Sequence, residues 1–363
     1  MPKLDKNLTE ATKKTRTPRN TGSATRGRGK SKKTPERGIW TPPALEEPGE
    51  GDVVVSYSEL STYRSCPLKH LLAYKERWTK PPEEGSPLSK GTLWHAVMEI
   101  HYLGIQAFQR GNIKTREELH EWVAQRLALL LWDQDTGEQS ELQQLILWMY
   151  QGHLERYGID EQWEILGVET KIQQRLPGPD GPSPYILKGK LDLVVRDRAT
   201  GKIWVVDHKS GANLPVEEDL DMNDQFGLYL WLLNEAGVPA IGAIHSANRT
   251  KMNLGDRPEN QDENGEPLKV SNKKQTLDQR LKRTLMARGE RELANIARDA
   301  YATAVNAYPE AVGLEPLPVY SNPGTMPFTW RGEWRDVYLI VRKGRNVHAA
   351  LEELGFVQDF ERH

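Results

Sequence analysis

The chain has almost no cysteine. Cys66 is the single one in 363 residues, which excludes an internal disulfide and any zinc or iron–sulfur site built on several thiolates. It reads as a small core residue. Long apolar runs are missing too. No stretch of about eighteen apolar residues occurs, so no membrane span is expected. The N-terminus lacks the apolar core of a secretory signal. These absences suit a reducing cytoplasm. Net charge is also small, −2 by formal count, but it is segregated. Residues 1–38 hold twelve Lys and Arg against three acids, a net of +9, which leaves −11 on the rest. The basic stretch is rich in Thr, Ser, Gly and Pro and has too little apolar surface to fold. A non-specific nucleic-acid arm and a solubilising extension are both open readings for it.

Residues 1–50 therefore read as a disordered basic tail, extended at its end by Pro42, Pro43 and Pro48. Residues 51–363 are long enough for one large domain with a helical insertion near 100–158 and a C-terminal elaboration near 252–363. Ser58 is placed to cap a first helix that Pro67 interrupts. Leu93, Ala96, Val97, Ile100, Leu103 and Ala107 recur with a helical period over 89–110. Two more helices are expected near 115–132 and 138–157. Strands begin at Trp163–Glu169, and the loop LPGPDGPSP follows. A hairpin comes next, YILKGKLDLVVRD and KIWVVDHKSG around the turn RATG. The pattern then predicts a helix over 224–236, a strand over 240–250, a polar loop over 252–275 and a helix over 276–307. A β pair over 326–343 and a closing helix over 345–355 complete it. The fold class is mixed α/β, with a central mixed sheet flanked by helices.

The hairpin carries the chemistry. Asp207 and Lys209 are two apart on a strand and share a face. With Arg198–Gly201 as the turn, Asp192 falls opposite Asp207 and Lys190 opposite Lys209. Two carboxylates in direct opposition repel unless something neutralises them. Flanking lysines can do so, which would make this a salt-bridged strand end. A hard divalent cation can do so equally well. Three further sets bear on the choice. His95 and Glu99 share one face of the 89–110 helix, Glu169 ends a strand, and Gln225 and Tyr229 share a face of the 224–236 helix.

Those residues occur in an order that resembles the PD-(D/E)XK nuclease superfamily. The likeness is to its RecB-type branch, the CRISPR-associated and phage-type exonucleases. It rests on SELSTYRSCPLKH (58–70), GTLWHAVME (91–99), GKLDLVV (189–195), VVDHKSG (205–211) and DQFGLYLWLL (224–233). ANRTK (247–251) and SNKKQT (271–276) resemble later segments of phage members. The resemblance implies a restriction-endonuclease-like core and a metal-dependent DNA exonuclease of bacterial or phage origin, acting in recombination, repair or replication in the cytoplasm. A structure- or sequence-specific endonuclease and a non-catalytic DNA-binding subunit are the alternatives. It implies Mg²⁺ or Mn²⁺ held by Asp192, Asp207, the His208 carbonyl and His95. Lys209 would orient or deprotonate the attacking water. Glu99 and Glu169 would be supporting acids, with Gln225 and Tyr229 gripping the DNA or the lysine. Relatives with an iron–sulfur cluster use four cysteines, one at the place of Cys66, so the cluster is not expected here. DNA is the expected partner, met by Arg249, Lys251, Lys273 and Lys274, with Arg280, Lys282 and Arg283 adding basic surface. A recombination or replication protein is a possible second partner.

Overall fold

The computed structural model describes residues 40–81, 87–133, 135–320 and 334–360. The basic stretch before residue 40 lies outside the described residues. Residues 40–50, expected as part of that tail, are held in place. Trp40 packs on the core, and Glu46 accepts hydrogen bonds from the backbone and guanidinium of Arg175.

Strand β1 (Val53–Ser56) runs straight into helix α1 (Tyr57–Ser65). Ser56, not Ser58, is the cap, because its hydroxyl accepts from the Glu59 amide. A short helical turn and a π-turn lead to β2 (Trp78–Thr79). A helical block follows: α2 (Pro87–Gln109), α3 (Arg116–Leu131) and α4 (Glu141–Tyr157). Thr115 and Ser140 cap the latter two. The buried row of α2 is Trp94, Val97, Met98, His101, Tyr102 and Ile105, with Leu103 left 38% exposed. The helical period is the expected one, but its phase is shifted. The buried row includes a histidine and a tyrosine that a count of apolar residues passes over.

The sheet then forms from β3 (Trp163–Gly178), β4 (Gly181–Asp197), β5 (Ile203–Gly211), β6 (Ala240–Arg249) and β7 (Leu281–Ala287), with α5 (Asp224–Glu235) before β6 and α6 (Glu290–Ala307) after β7. The order is β1-β4-β5-β6-β7, with β3 also paired to β4. β1–β4 and β5–β6 are parallel and the other pairs antiparallel, so the sheet is mixed. On one side α2–α4 pack on Leu193, Val195, Val206 and Ile244. On the other, α5 and α6 pack on Leu187, Leu191, Val194 and Val205. The expected fold class is the observed one.

Three expected elements differ. The LPGPDGPSP segment is not a loop, since the β3–β4 ladder runs through it to Pro177↔Pro182 and Gly178↔Gly181. Proline is tolerated there because β3 is an edge strand and needs no outward N–H. Residues 281–287 are strand, not helix. Leu281, Thr284 and Met286 are buried against β6 while Leu285 faces out, so the vacant sheet edge overrides an ambiguous pattern. At 334–342 the expected strand is helix α7 (Trp334–Arg342). Trp334, Val337 and Val341, at helical spacing, meet Leu72, Trp78, Leu351 and Phe356 in a small separate core. Residues 326–333 lie outside the described residues. α8 (Val347–Glu353) and β8 (Val357–Gln358) close the chain, β8 pairing with β2.

Candidate active site

The hairpin register is the expected one from Leu193↔Val206 to Arg196↔Ile203, but the ladder stops there. Asp192 and Asp207 do not form its next rung, and Lys190 lies opposite Lys171 of β3, not Lys209. The reason is competition for an edge. β3 occupies one side of β4, and on the other β1 pairs with Tyr185–Lys188. Residues 189–192 of β4 are left between β1 and β5, and the strands fork.

The fork collects the candidate residues. Asp192 Oδ2 accepts from the His208 amide across it at 2.7 Å and lies 3.3 Å from His95 Nδ1 of α2. Asp207 is 2% exposed; its Oδ1 accepts from Lys209 Nζ at 2.9 Å, and its Oδ2 is buried with no hydrogen-bond partner. Ligand atoms of His95, Glu169 and Asp192 all lie within 4.8 Å of one another. Glu99 is outside that group. Glu169 pairs with Lys190. Gln225 Nε2 donates to the Tyr229 hydroxyl at 2.8 Å, so these two residues of α5 act on each other first.

The charges are strongly coupled. Burial raises the Asp207 pKa, opposed by Lys209 and reinforced by the Asp192 charge. Burial works the same way on Asp192, yet its hydrogen bond to His95 and the cations around it hold its pKa below the ordinary value. Burial penalises the cationic forms of His95 and Lys209, but Asp192 and Asp207 outweigh it and both pKa values are raised. Burial raises Glu169, with Lys190 opposing, and pushes the Tyr229 hydroxyl up to about 12.

Of the candidate DNA contacts, Lys251 and Lys273 are exposed, and Lys274 is ion-paired to Glu266. Arg249 is a strut, donating to the Ala212 carbonyl and to Gln275. Gln275 in turn bonds the Lys251 carbonyl and the buried Asp256, so the ANRTK and SNKKQT segments are tied together beside the end of β5. Arg280 and Arg283 are not basic surface. Arg280 is buried over the Trp148 ring, and Arg283 pairs with buried Asp160.

Behind β5 lies a buried polar cluster that the motifs of the sequence do not point to. His208 points away from Asp207 and Lys209 and stacks on Tyr102, with ring centroids 5.3 Å apart. Tyr102 donates to Asp160 at 2.7 Å, and His101 and His153 pack alongside. Burial depresses His208 to about 3 and His101 to about 4. The one available signal is an aromatic and two histidines on α2 and α4 at buried helical positions.

The donor set of the fork suits a hard divalent ion. It offers carboxylate oxygens and one imidazole, and the buried Oδ2 of Asp207 has no hydrogen-bond partner in the protein. Acids gathered in a sheet fork beside a lysine are an arrangement that could hold a metal for hydrolysis. A family model described as the PD-(D/E)XK nuclease superfamily matches residues 54–309, and the chain belongs to that superfamily. Nucleases of this superfamily use divalent metal ions and act on nucleic acid, which makes DNA the implied substrate. One similar solved structure, titled "Crystal structure of SSO0001", is 14% identical over 68% of this chain and 83% of that one, with a TM-score of 0.26. No curated protein matches. Among the described residues, no helix is long and apolar enough to cross a membrane.

Proposed function

We propose that the protein is a Mg²⁺- or Mn²⁺-dependent deoxyribonuclease that digests linear DNA from its ends, in recombination, repair or replication. The observation that carries the nuclease reading is the fork itself, with Asp207 Oδ2 buried and unpaired beside Lys209 and across from Asp192. Support for the exonuclease reading comes from the RecB-type order of motifs along the chain. Asp192, Asp207, His95 and the His208 carbonyl are the groups that would hold the ion. When bound, the ion supplies a more acidic water and charge for the phosphate. Asp207 and Asp192 keep Lys209 protonated, which favours its orienting the water and the phosphate over removing a proton. Tyr229 and Gln225, bonded to each other beside it, would set the position of that ammonium or of the DNA backbone.

End-labelled linear DNA and closed circular DNA, each with Mg²⁺, Mn²⁺ or EDTA, test this. Metal-dependent loss of linear DNA with circles intact is the expected result. Cutting of closed circles would replace the exonuclease by an endonuclease, and no metal-dependent cleavage of either form would defeat the enzyme reading.

A further inference from the structure

Glu169 stands out in the β3–β4 ladder. Pairing runs through Val168↔Leu193 and Thr170↔Leu191, but the rung between them, Glu169 with Asp192, is missing. Glu169 has φ +50°, in the left-handed region that a non-glycine residue rarely adopts. The ladder is already irregular just before it, between Ile165 and Gly167. This local turn brings the Glu169 carboxylate to His95 and Asp192. Backbone strain of this kind persists only where the surroundings impose it. Lys190 lies two residues before Asp192 on β4, is 56% exposed and is ion-paired to Glu169.

We propose that Glu169 is a third carboxylate ligand for the divalent ion, beside Asp192 and Asp207, and that Lys190 is its place-holder. The ammonium neutralises Glu169 until the ion does so, and is then free to meet a phosphate of the DNA. This rests on the metal-dependent reading above and adds to it a ligand from β3 and a cation released by loading. A buried acid accepts a neutralising partner of either kind. The exposed lysine is the one that can leave at little cost, since its ammonium rehydrates.

Calorimetric titration of the full chain with Mn²⁺ tests the ligand. Glu169→Gln and Glu169→Asp should each weaken binding about tenfold or more. The aspartate keeps the charge but shortens the reach. Glu99→Gln, which removes the same charge from α2 outside the ligand group, should change affinity less than about threefold. Lys190→Met should tighten binding, because a competing cation is gone. Wild-type affinity in Glu169→Asp, or equal losses in Glu99→Gln and Glu169→Gln, would reduce Glu169 to a background charge and overturn the proposal. Absence of Mn²⁺ binding by the wild type would instead defeat the metal reading beneath it. Fluorescence anisotropy with labelled DNA tests the release. Lys190→Met should weaken DNA binding in Ca²⁺ and leave it unchanged in EDTA. Equal weakening in both would show that Lys190 is not held back by Glu169.

Discussion

Replacing Arg283 by methionine should unfold a large part of the protein's margin of stability. The Asp160 side chain is fully buried. It accepts two bonds from Arg283, at 2.6 and 2.8 Å, one from the Tyr102 hydroxyl at 2.7 Å and one from Gln162 at 3.0 Å. Removing one member of a buried pair costs about 3–5 kcal/mol, because the other charge stays buried without compensation. The guanidinium also sits 3.6 Å from the Tyr157 ring centroid and 4.4 Å from that of Trp163. Methionine keeps apolar contact with both rings, so the ion-pair loss dominates. A cost of about 4 kcal/mol is about three decades in the folding equilibrium. With a urea m-value of about 3 kcal/mol/M, the midpoint should fall by about 1.3 M. Asp160→Asn in the same chain removes the stranded charge and should recover part of the loss. Urea unfolding followed by tryptophan fluorescence reads both variants. A midpoint shift corresponding to less than about 1 kcal/mol, or a double variant as unstable as the sum of the singles, would refute the reasoning.

Asp207→Ala and Lys209→Ala should each cut DNA digestion by about 10²–10³-fold or more, read by end-labelled cleavage under conditions where a urea titration of each variant shows it still folded. Mn²⁺ affinity should rise with pH through the neutral range. Protonated His95 cannot ligate, and Asp192 holds its pKa above 6.5. In the metal-free protein the sign is opposite. The His95 contribution to stability is fully present below the unfolded pKa and is lost as pH rises through the higher folded value. His95→Ala should flatten both dependences, measured by calorimetry and by urea midpoints across pH 5–9. Gly242→Ala should destabilise by about 1–3 kcal/mol. Its Cβ would meet the Met286 carbonyl at 2.5 Å and the Trp204 ring at 2.6 Å, prying β6 from β7; thermal unfolding checks it.

How far the sequence was legible depended on whether a feature was local. The hairpin register and the helices of the α2–α4 block follow from turn residues and from period, both local. The fork does not, because it arises where β1, distant in sequence, takes part of the β4 edge. That is why Asp192 and Asp207 were read as facing rungs and are in fact joined through the His208 amide and the charges around it. The 281–287 segment is strand and not helix for the same reason. Leu-Lys-Arg-Thr-Leu-Met-Ala suits either period, and only the waiting edge of β6 decides. Arg280 and Arg283 were read as surface because arginine is seldom buried. Their partners Trp148 and Asp160 lie more than a hundred residues earlier, beyond any window on the sequence.

The charge arrangement explains why the second half of β5 is polar on both faces. Its outer alternation, Asp207 and Lys209, belongs to the fork, while His208 between them turns to the buried side. Behind it His208, His101 and His153 are all held neutral by burial, and Arg283 is matched by Asp160. The fork is different. Three carboxylates, Asp192, Asp207 and Glu169, face two ammonium groups, Lys209 and Lys190, and the acids raise the pKa of His95 beside them. The raised pKa of His95 thus favours an imidazolium as a counter-charge in the metal-free protein. A divalent cation in the same fork would take over that task together with the one Lys190 performs for Glu169. Cation binding should therefore displace a proton and a lysine at once. On the proposal above, the substrate's phosphate would meet a site that had exchanged internal ion pairs for one ion and one free ammonium.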